Sequence, residues 1–377
     1  MKNKKACFLF FGLVFIFFAS WIPYLSTNYL PKPIHCSSAP PPWLDRFSSE
    51  IGNLGYPGFQ LSISDSSGNF LDCAVGWASE KIMDMPLRQD HILRYASLSK
   101  ILTSTVSMQL VYERRLDLNE NLVNTLKISP PFSDQRIKDI TIHHLLRHTA
   151  GFDRNRSGDP MFESWPWCPD KLEALHDVRL DHHPGANYVY SNVGYCLMGE
   201  AIHRIEREPL EMIFKKRLIQ PLGLRSFIIL DDETLKSTAP LTSYNYLNAP
   251  KTVHLASGAW AGTAHDLLIL MDALFKQGDS KILTKESKER LLSIAAECDI
   301  NKWRTCHGYG FYKYQQPGNQ VMYWRDGSLP GASSFAAGFE DGSTIVFLAN
   351  GRSANWIGAN DVVGKFLYMA NKSFSTN

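Results

Sequence analysis

The sequence predicts an α+β fold in which one antiparallel sheet, flanked by helices, is built from both ends of the chain. A hairpin pattern lies near the N-terminus, strand-like runs lie near the C-terminus, and the segment between them shows mostly helical spacing of apolar residues. The 377 residues suffice for a large core. We expect a folded domain over 43–372, with its sheet from 43–96 and 255–372 and an all-helical region over 97–254.

The N-terminal part of this domain combines a helix with a hairpin. Apolar residues at helical spacing predict a helix over 43–54. Alternating residues over 59–63 and 70–75, separated by a turn around Gly68, predict two paired strands. An apolar stretch that begins at Ser97 then predicts a buried helix.

The middle of the domain is predicted to be helical. Apolar spacing indicates short helices near 142–146, 193–205 and 210–218. Thr263 is expected to cap a further helix, with Asp266 three residues later in a capping-box arrangement.

The C-terminal part returns to strands. Runs over 321–324, 333–339 and 343–348 are strand-like, and Asp341-Gly342 predicts a tight hairpin turn. An amphipathic pattern over 362–369 predicts a last helix. We expect these strands to join the N-terminal hairpin in one sheet.

Residues 1–30 differ in character from the domain. Lysines near the start precede an apolar run over 6–22, which is typical of a signal peptide or of an uncleaved signal anchor. Either would place the rest of the chain in the periplasm or on the outer face of the cytoplasmic membrane. The proline-rich segment 31–42 predicts an extended tether.

Composition narrows the function classes. The net charge of +2, with scattered basic residues, gives no argument for nucleic-acid binding. Of the seven cysteines, Cys7 lies in the apolar run, and the other six could pair in an exported protein. Cys298 and Cys306 are nearest in sequence and are predicted to form a bridge. Cys73 and Cys196 have apolar neighbours and could instead be buried thiols.

Ser97 and Lys100 carry the first chemical signal. Positions three apart share a helix face, so the hydroxyl and the amine can meet. Serine needs a base to become a nucleophile, and burial lowers the pKa of lysine so that it can act as that base. Because Ser-x-x-Lys occurs by chance in many helices, the rest of the chain must complete the site.

A second cluster contains Tyr190 and Asn192, in a turn before a predicted helix. A phenol near two cations loses its proton more readily and can act as a general base. The asparagine could bind Lys100 and a substrate carbonyl. The alternative is a tyrosine-rich packing loop.

The third cluster, Arg325-Asp326-Gly327-Ser328, lies between two predicted strands. Arg325 supplies a cation, and Gly327 would let a substrate approach the backbone. The N–H of Ser328 would join that of Ser97 in an oxyanion site. The alternative is a strand end followed by a hairpin turn.

Together the three clusters resemble the penicillin-recognising serine hydrolases, most closely the branch of class C β-lactamases, D-alanyl-D-alanine carboxypeptidases and related esterases. The resemblance runs in order from about residue 43 to the last helix. The segments that carry it are Arg94-Tyr95-Ala96-Ser97-Leu98-Ser99-Lys100, Leu145-Leu146-Arg147-His148-Thr149-Ala150-Gly151, Tyr190-Ser191-Asn192-Val193-Gly194-Tyr195, Ser257-Gly258 with Ala264-His265-Asp266-Leu267, and Gly308-Tyr309-Gly310-Phe311.

The resemblance implies a β-lactamase/transpeptidase-like fold and a set of roles. Ser97 would be acylated, Lys100 and Tyr190 would transfer protons, and Asn192 would position the substrate. We expect hydrolysis of an ester or an amide in the cell envelope, by an esterase, a D-amino-acid peptidase or a β-lactamase-like enzyme. The substrate would be a small molecule or a peptide, such as one derived from peptidoglycan, and no cofactor is expected.

The third motif departs from the family pattern. Where the family usually has Lys-Thr-Gly or His-Ser/Thr-Gly, this chain has Arg325-Asp326-Gly327. Asp326 replaces a hydroxyl residue that, in the family, helps bind a substrate carboxylate. An aspartate should repel that carboxylate unless Arg325 neutralises it. The departure favours an ester or amide substrate without that carboxylate, and Asp326→Thr should raise reactivity with penicillins.

Two other interpretations compete with a hydrolase. His144 and His148 lie four apart, but Leu145 stands where a protease-type zinc site has glutamate, so no metal site is expected. The chain could also be a catalytically inactive relative that binds peptidoglycan fragments or a protein partner, which Asp326 favours. The complete first and second motifs favour an active enzyme.

Overall fold

The computed structural model of the chain describes residues 32–79, 85–153, 156–161, 167–229, 255–295 and 298–371. The predicted signal segment, 1–30, lies outside these ranges. Within them, no helix is both long enough and apolar enough to cross a bilayer.

An eight-stranded antiparallel sheet forms the centre of the fold, in the order β1-β3-β2-β11-β10-β9-β8-β7. The pairing of β2 with β11 joins the N-terminal and C-terminal parts of the chain, as predicted. A smaller sheet has the order β4-β6-β5. The strands are β1 (Ile34–Cys36), β2 (Gly58–Ser64), β3 (Phe70–Gly76), β4 (Leu93–Arg94), β5 (Ile228–Ile229), β6 (Trp260–Gly262), β7 (Cys306–His307), β8 (Tyr312–Tyr314), β9 (Met322–Leu329), β10 (Ala332–Phe339) and β11 (Thr344–Ala349).

Helices cover both faces of the large sheet, and several more form the region between its two halves. The α-helices that the site and the core use are α1 (Leu44–Gly52), α2 (Ser99–Tyr112), α3 (Leu122–Thr125), α4 (Ile142–Leu146), α5 (Asn192–Glu206), α6 (Leu210–Phe214), α7 (Ala264–Phe275), α8 (Lys285–Leu291) and α9 (Trp356–Ala370). Helix α6 continues through a π-helical turn, Lys215–Ile219, to a short α-helical turn, Gln220–Leu222.

The sheet separates two apolar cores, because successive residues of a strand point to opposite faces. In β11, Ile345 and Phe347 pack with α1 and α9. Val346 and Leu348, between them in sequence, pack with α7 and the helical region. The predicted α+β fold is confirmed.

The segment predicted as a tether is partly a strand. Residues 34–36 form β1, which pairs with β3. Cys36 and Cys73 are register partners there, and they form a disulfide across a Cα–Cα distance of 4.1 Å. The tether interpretation of 31–42 is therefore wrong for β1, and the prediction that Cys73 is a buried thiol is also wrong.

The predicted bridge between Cys298 and Cys306 is wrong, since both cysteines are free. The second disulfide joins Cys168 to Cys196, so Cys196 is not a thiol either. Nearness in sequence misled the prediction, because helix and strand packing brings together cysteines that lie far apart along the chain.

The predicted cap of α7 is confirmed, but the reciprocal capping box is not. Thr263 accepts a hydrogen bond from the backbone N–H of Asp266. The Asp266 carboxylate instead accepts hydrogen bonds from the backbone N–H groups of Arg225 and Ser226. It thus ties the loop before β5 to the start of α7.

Candidate active site

Ser97 lies in a 3-10 turn, Ala96–Leu98, and the predicted α-helix begins just after it, at Ser99. Ala96 is fully buried and has a left-handed backbone with φ +49°. Gly327 of β9 lies directly against this turn, because a Cβ on Gly327 would stand 2.7 Å from the backbone N of Ser97. Only glycine allows the strand to approach the serine this closely.

Lys100 is fully buried on α2, one turn after Ser97. Its Nζ donates hydrogen bonds to Asn192 Oδ1 at 2.7 Å and to the Ser257 carbonyl at 2.8 Å, and it lies 3.5 Å from Ser97 Oγ. Burial lowers the pKa of Lys100 to about 8. Ser97 and Lys100 lie close together, as predicted. The ammonium is nevertheless closer to Asn192 and to the Ser257 carbonyl than to the serine hydroxyl.

Tyr190 is the closest base to the serine, with 2.7 Å between Tyr190 Oη and Ser97 Oγ. Lys100 Nζ lies 5.0 Å and Arg325 Cζ 5.6 Å from the centroid of the tyrosine ring. Burial alone would raise the pKa of the phenol, but these two cations and the hydrogen bonds outweigh it. The pKa of Tyr190 therefore lies below its usual value.

His148 holds the loop that carries Tyr190. The N–H of Val189 donates to the His148 carbonyl at 2.8 Å, and the N–H of Ser191 donates to His148 Nδ1 at 3.1 Å. The imidazole is buried, and its centroid lies 4.6 Å from that of the Tyr190 ring. Both neighbours of Tyr190 in the chain are thus fixed by one histidine.

His144 and His148 each accept a hydrogen bond from the backbone. His144 Nδ1 accepts a hydrogen bond from the backbone N–H of Thr141, at the start of α4. Among the residues that the structure describes, no group of three histidine, cysteine or acidic side chains has metal-binding geometry.

Asn192 begins helix α5 and is also anchored by a carboxylate. Its Nδ2 lies 3.0 Å and 3.2 Å from the two oxygens of Asp159, while its Oδ1 accepts from Lys100. The buried Asp159 was not indicated by any motif, because it lies 33 positions from its partner in an irregular segment. The amide NH₂ that was expected to bind a substrate carbonyl is oriented by this carboxylate.

The third cluster lies within β9, so the prediction that it falls between strands is wrong. Arg325 is buried beneath the site, where Nε donates to the Ser97 carbonyl at 3.0 Å. Its Nη1 lies 3.0 Å from both the Gly310 carbonyl and His307 Nε2. Since arginine only donates, His307 must accept through a neutral ring. Burial and the charge of Arg325 lower the pKa of His307 well below its usual value, which agrees with a neutral ring.

Asp326 is paired with Arg304 rather than with Arg325. Successive strand residues point to opposite faces, which separates Asp326 from Arg325. Arg304 donates to both Asp326 oxygens, at 3.1 and 2.8 Å, and its Nε donates to Asp361 at 2.6 Å. Asn360 also donates to Asp326. Burial would raise the pKa of Asp326, but Arg304 outweighs it and the pKa is lowered.

The end of β9 offers an unpaired strand edge beside the nucleophile. Strand β8 pairs with residues 322–324 of β9. Among the described strands, none lies beside residues 325–329 on that side. Ser328 faces the same cleft as Ser97. This arrangement fits the expected oxyanion site, made by the N–H groups of Ser97 and Ser328.

A cleft of about 470 Å³ opens over these groups. Its lining combines these polar groups with apolar side chains. The apolar lining includes Met161, Val189, Leu329, Trp356 and Ile357. All the predicted site residues therefore meet in one region, with Lys100 and Arg325 buried behind the others.

The geometry agrees with comparisons to known proteins. A family described as Beta-lactamase matches residues 45–366. "Putative fimbrial assembly protein FimD, serogroup D" of Dichelobacter nodosus is 30% identical over 299 residues, which cover 75% of this chain and 72% of that protein.

Two solved structures share the fold. The β-lactamase/D-alanine carboxypeptidase from Yersinia pestis is 19% identical, with a TM-score of 0.71 over 86% of this chain and 97% of its own. The D-amino acid amidase from Ochrobactrum anthropi SV3 is 20% identical, with a TM-score of 0.67 over 86% of this chain and 97% of its own. Since the family match spans most of the domain, the chain belongs to the beta-lactamase family of serine hydrolases.

Proposed function

We propose that this protein is an active hydrolase that cleaves an ester or an amide through an acyl-enzyme on Ser97. The observation that carries the proposal is the 2.7 Å contact between Ser97 Oγ and Tyr190 Oη. A phenol whose pKa is lowered by two buried cations is a suitable base for a serine hydroxyl.

In the acylation step, the Tyr190 phenolate takes the proton of Ser97 while Oγ attacks the carbonyl carbon. The N–H groups of Ser97 and Ser328 stabilise the oxyanion that develops. When the bond to the leaving group breaks, the proton on Tyr190 passes to the departing oxygen or nitrogen. The acyl group then remains on Ser97 as an ester.

Deacylation repeats these events with water. Tyr190 takes a proton from the water that attacks the acyl carbon, and the proton returns to Ser97 Oγ as the acid departs. Lys100 and Arg325 favour the phenolate by lowering the pKa of Tyr190. Asn192, held by Lys100 and Asp159, positions the substrate amide or ester.

The cell envelope is the proposed location, and small molecules or peptides are the proposed substrates. The N-terminal apolar run and the two disulfides support export. The D-amino acid amidase among the structural relatives supports an amide as one candidate substrate. Peptides derived from peptidoglycan are the proposed source of such amides.

The test is covalent labelling of the full-length protein, in mild detergent, with a fluorophosphonate probe. Intact mass is expected to show one adduct on the wild type and none on Ser97→Ala. Tyr190→Phe should keep the fold but slow labelling by about a hundredfold or more, since it removes the general base. A panel of esters, D-amino-acid peptides and penicillins then sorts the substrates.

The same experiment separates the enzyme from an inactive relative. An unlabelled wild type with a normal melting transition would overturn the proposal. It would favour the alternative of a binding protein for peptidoglycan fragments or a protein partner.

A further inference from the structure

Arg304 lines the cleft, and no sequence motif indicates its role. Its guanidinium stacks on Trp324, with Cζ 4.9 Å from the ring centroid. Three of its N–H groups are used on Asp326 and Asp361. One cation between two carboxylates leaves this cluster with a net charge of about −1, as counted from ordinary ionisation states. Arg304 and Asp326 both line the cleft, while Asp361 does not.

The Asp326 carboxylate binds the Arg304 guanidinium in the same way as a substrate carboxylate would. Two parallel N–H···O contacts are the preferred geometry of arginine with a carboxylate. Asp326 and Ser328 are two residues apart in β9 and share the face that lines the cleft. A substrate lying along this edge would therefore contact an arginine whose N–H groups are already hydrogen-bonded to Asp326.

Apolar side chains also line the cleft. Met161 and Leu329 belong to a small buried apolar cluster with Ala96, next to the nucleophile. Ile357, at the start of α9, is 47% exposed and lines the cleft as well. These residues would contact the part of a substrate that carries no charge.

From this arrangement we infer that the site selects uncharged substrates, which carry an apolar group and no carboxylate near the scissile bond. Asp326, bound to Arg304, excludes a substrate carboxylate by charge and by occupying its partner. The inference rests on the proposed function and names the substrate class of that same site.

The test compares matched thioester substrates that differ only in one carboxylate. In one pair the carboxylate or its carboxamide is on the leaving group, and in the other pair it is on the acyl group. Thiol release gives kcat/KM for each. In the wild type, at least one pair should favour the carboxamide by about tenfold or more, since like charges repel in a partly buried site.

Variants of Asp326 should remove that preference. Asp326→Asn keeps the volume but frees the charge of Arg304, so the carboxylate substrate should gain about tenfold relative to its carboxamide. Asp326→Thr is a second variant, should Asp326→Asn fold poorly, and it should also be acylated faster by penicillins. Asp361→Asn is the matched control, because it adds the same unit of charge to the cluster from outside the cleft. Its substrate ratio should change much less than that of Asp326→Asn, because Arg304 stays occupied by Asp326.

Each outcome bears on a distinct claim. If wild-type protein is not labelled by the fluorophosphonate and cleaves neither substrate, the proposed function fails. If it is labelled and cleaves the members of both pairs equally well, only the inferred selectivity fails. An equal change of ratio in Asp326→Asn and Asp361→Asn would overturn the occupied-arginine explanation, because net charge alone would then set the preference.

Discussion

Removing the charge of Arg325 should move the pH dependence of hydrolysis upward. Arg325 Cζ lies 5.6 Å from the centroid of the Tyr190 ring, and the side chain is buried away from solvent. At this distance, and with an effective dielectric constant of about 20, a unit charge stabilises the phenolate by about 3 kcal/mol. That energy corresponds to about two pKa units. Arg325→Met should therefore raise the pKa of Tyr190 by about two units.

The sign of the effect follows from the role of the phenol. Tyr190 acts as a base when it is deprotonated, so activity rises as the pH rises through its pKa. A higher pKa of Tyr190 moves this acidic limb of the pH profile to higher pH. Where both enzymes lie below their pKa values, Arg325→Met should be about a hundredfold slower than the wild type.

The assay is the profile of kcat/KM against pH for the uncharged thioester, which reports groups of the free enzyme. Arg325→Lys is the control, since it keeps a cation but loses the fixed guanidinium contacts, and its limb should lie close to that of the wild type. Melting curves confirm that each variant is folded. A slow Arg325→Met enzyme with an unshifted acidic limb would refute the reasoning, because the arginine would then act only on structure.

Three further predictions concern a disulfide, an ion pair and the glycine beside the nucleophile. Replacing Cys168 and Cys196 by serine opens a 28-residue separation and should lower the free energy of unfolding by about 3.5 kcal/mol in urea denaturation; an unchanged midpoint would contradict this. His265 Nδ1 lies 2.9 Å from Asp72, whose hydrogen bond raises the pKa of the imidazole. His265→Gln should therefore cost at most about 1 kcal/mol of unfolding free energy near pH 5. The difference should vanish as the pH rises through the raised pKa, and a difference that grew with pH would exclude the pair. Gly327→Ala should slow fluorophosphonate labelling by about a hundredfold, because the new Cβ would displace the nucleophile; labelling at the wild-type rate would show that β9 can move aside.

The catalytic groups could be predicted because their signals are local. Ser97 and Lys100 are related by one helical turn, and Tyr190 and Asn192 lie on the approach to one helix. Arg304 could not be predicted, because its partners lie 22 and 57 positions away and no spacing rule connects them. Its contribution depends on the tertiary fold.

The same distinction holds for the strands. Four central strands with alternating or clearly apolar residues, β2, β3, β10 and β11, were predicted close to their observed bounds. The second half of β9 was not, because Gly327 and the following Pro330-Gly331 are typical of a turn. The strand is covered on both faces near the site, so it shows no alternation of apolar and polar residues.

The left-handed backbone at Ala96 places opposite demands of stability and activity on a single residue. A non-glycine residue with φ +49° costs about 1–3 kcal/mol, and here buried neighbours on all sides keep it in place. Glycine would adopt the same conformation without that cost, but it would also leave the neighbouring serine less constrained. Selection for a more robust protein and selection for faster turnover should therefore favour different residues immediately before the nucleophile.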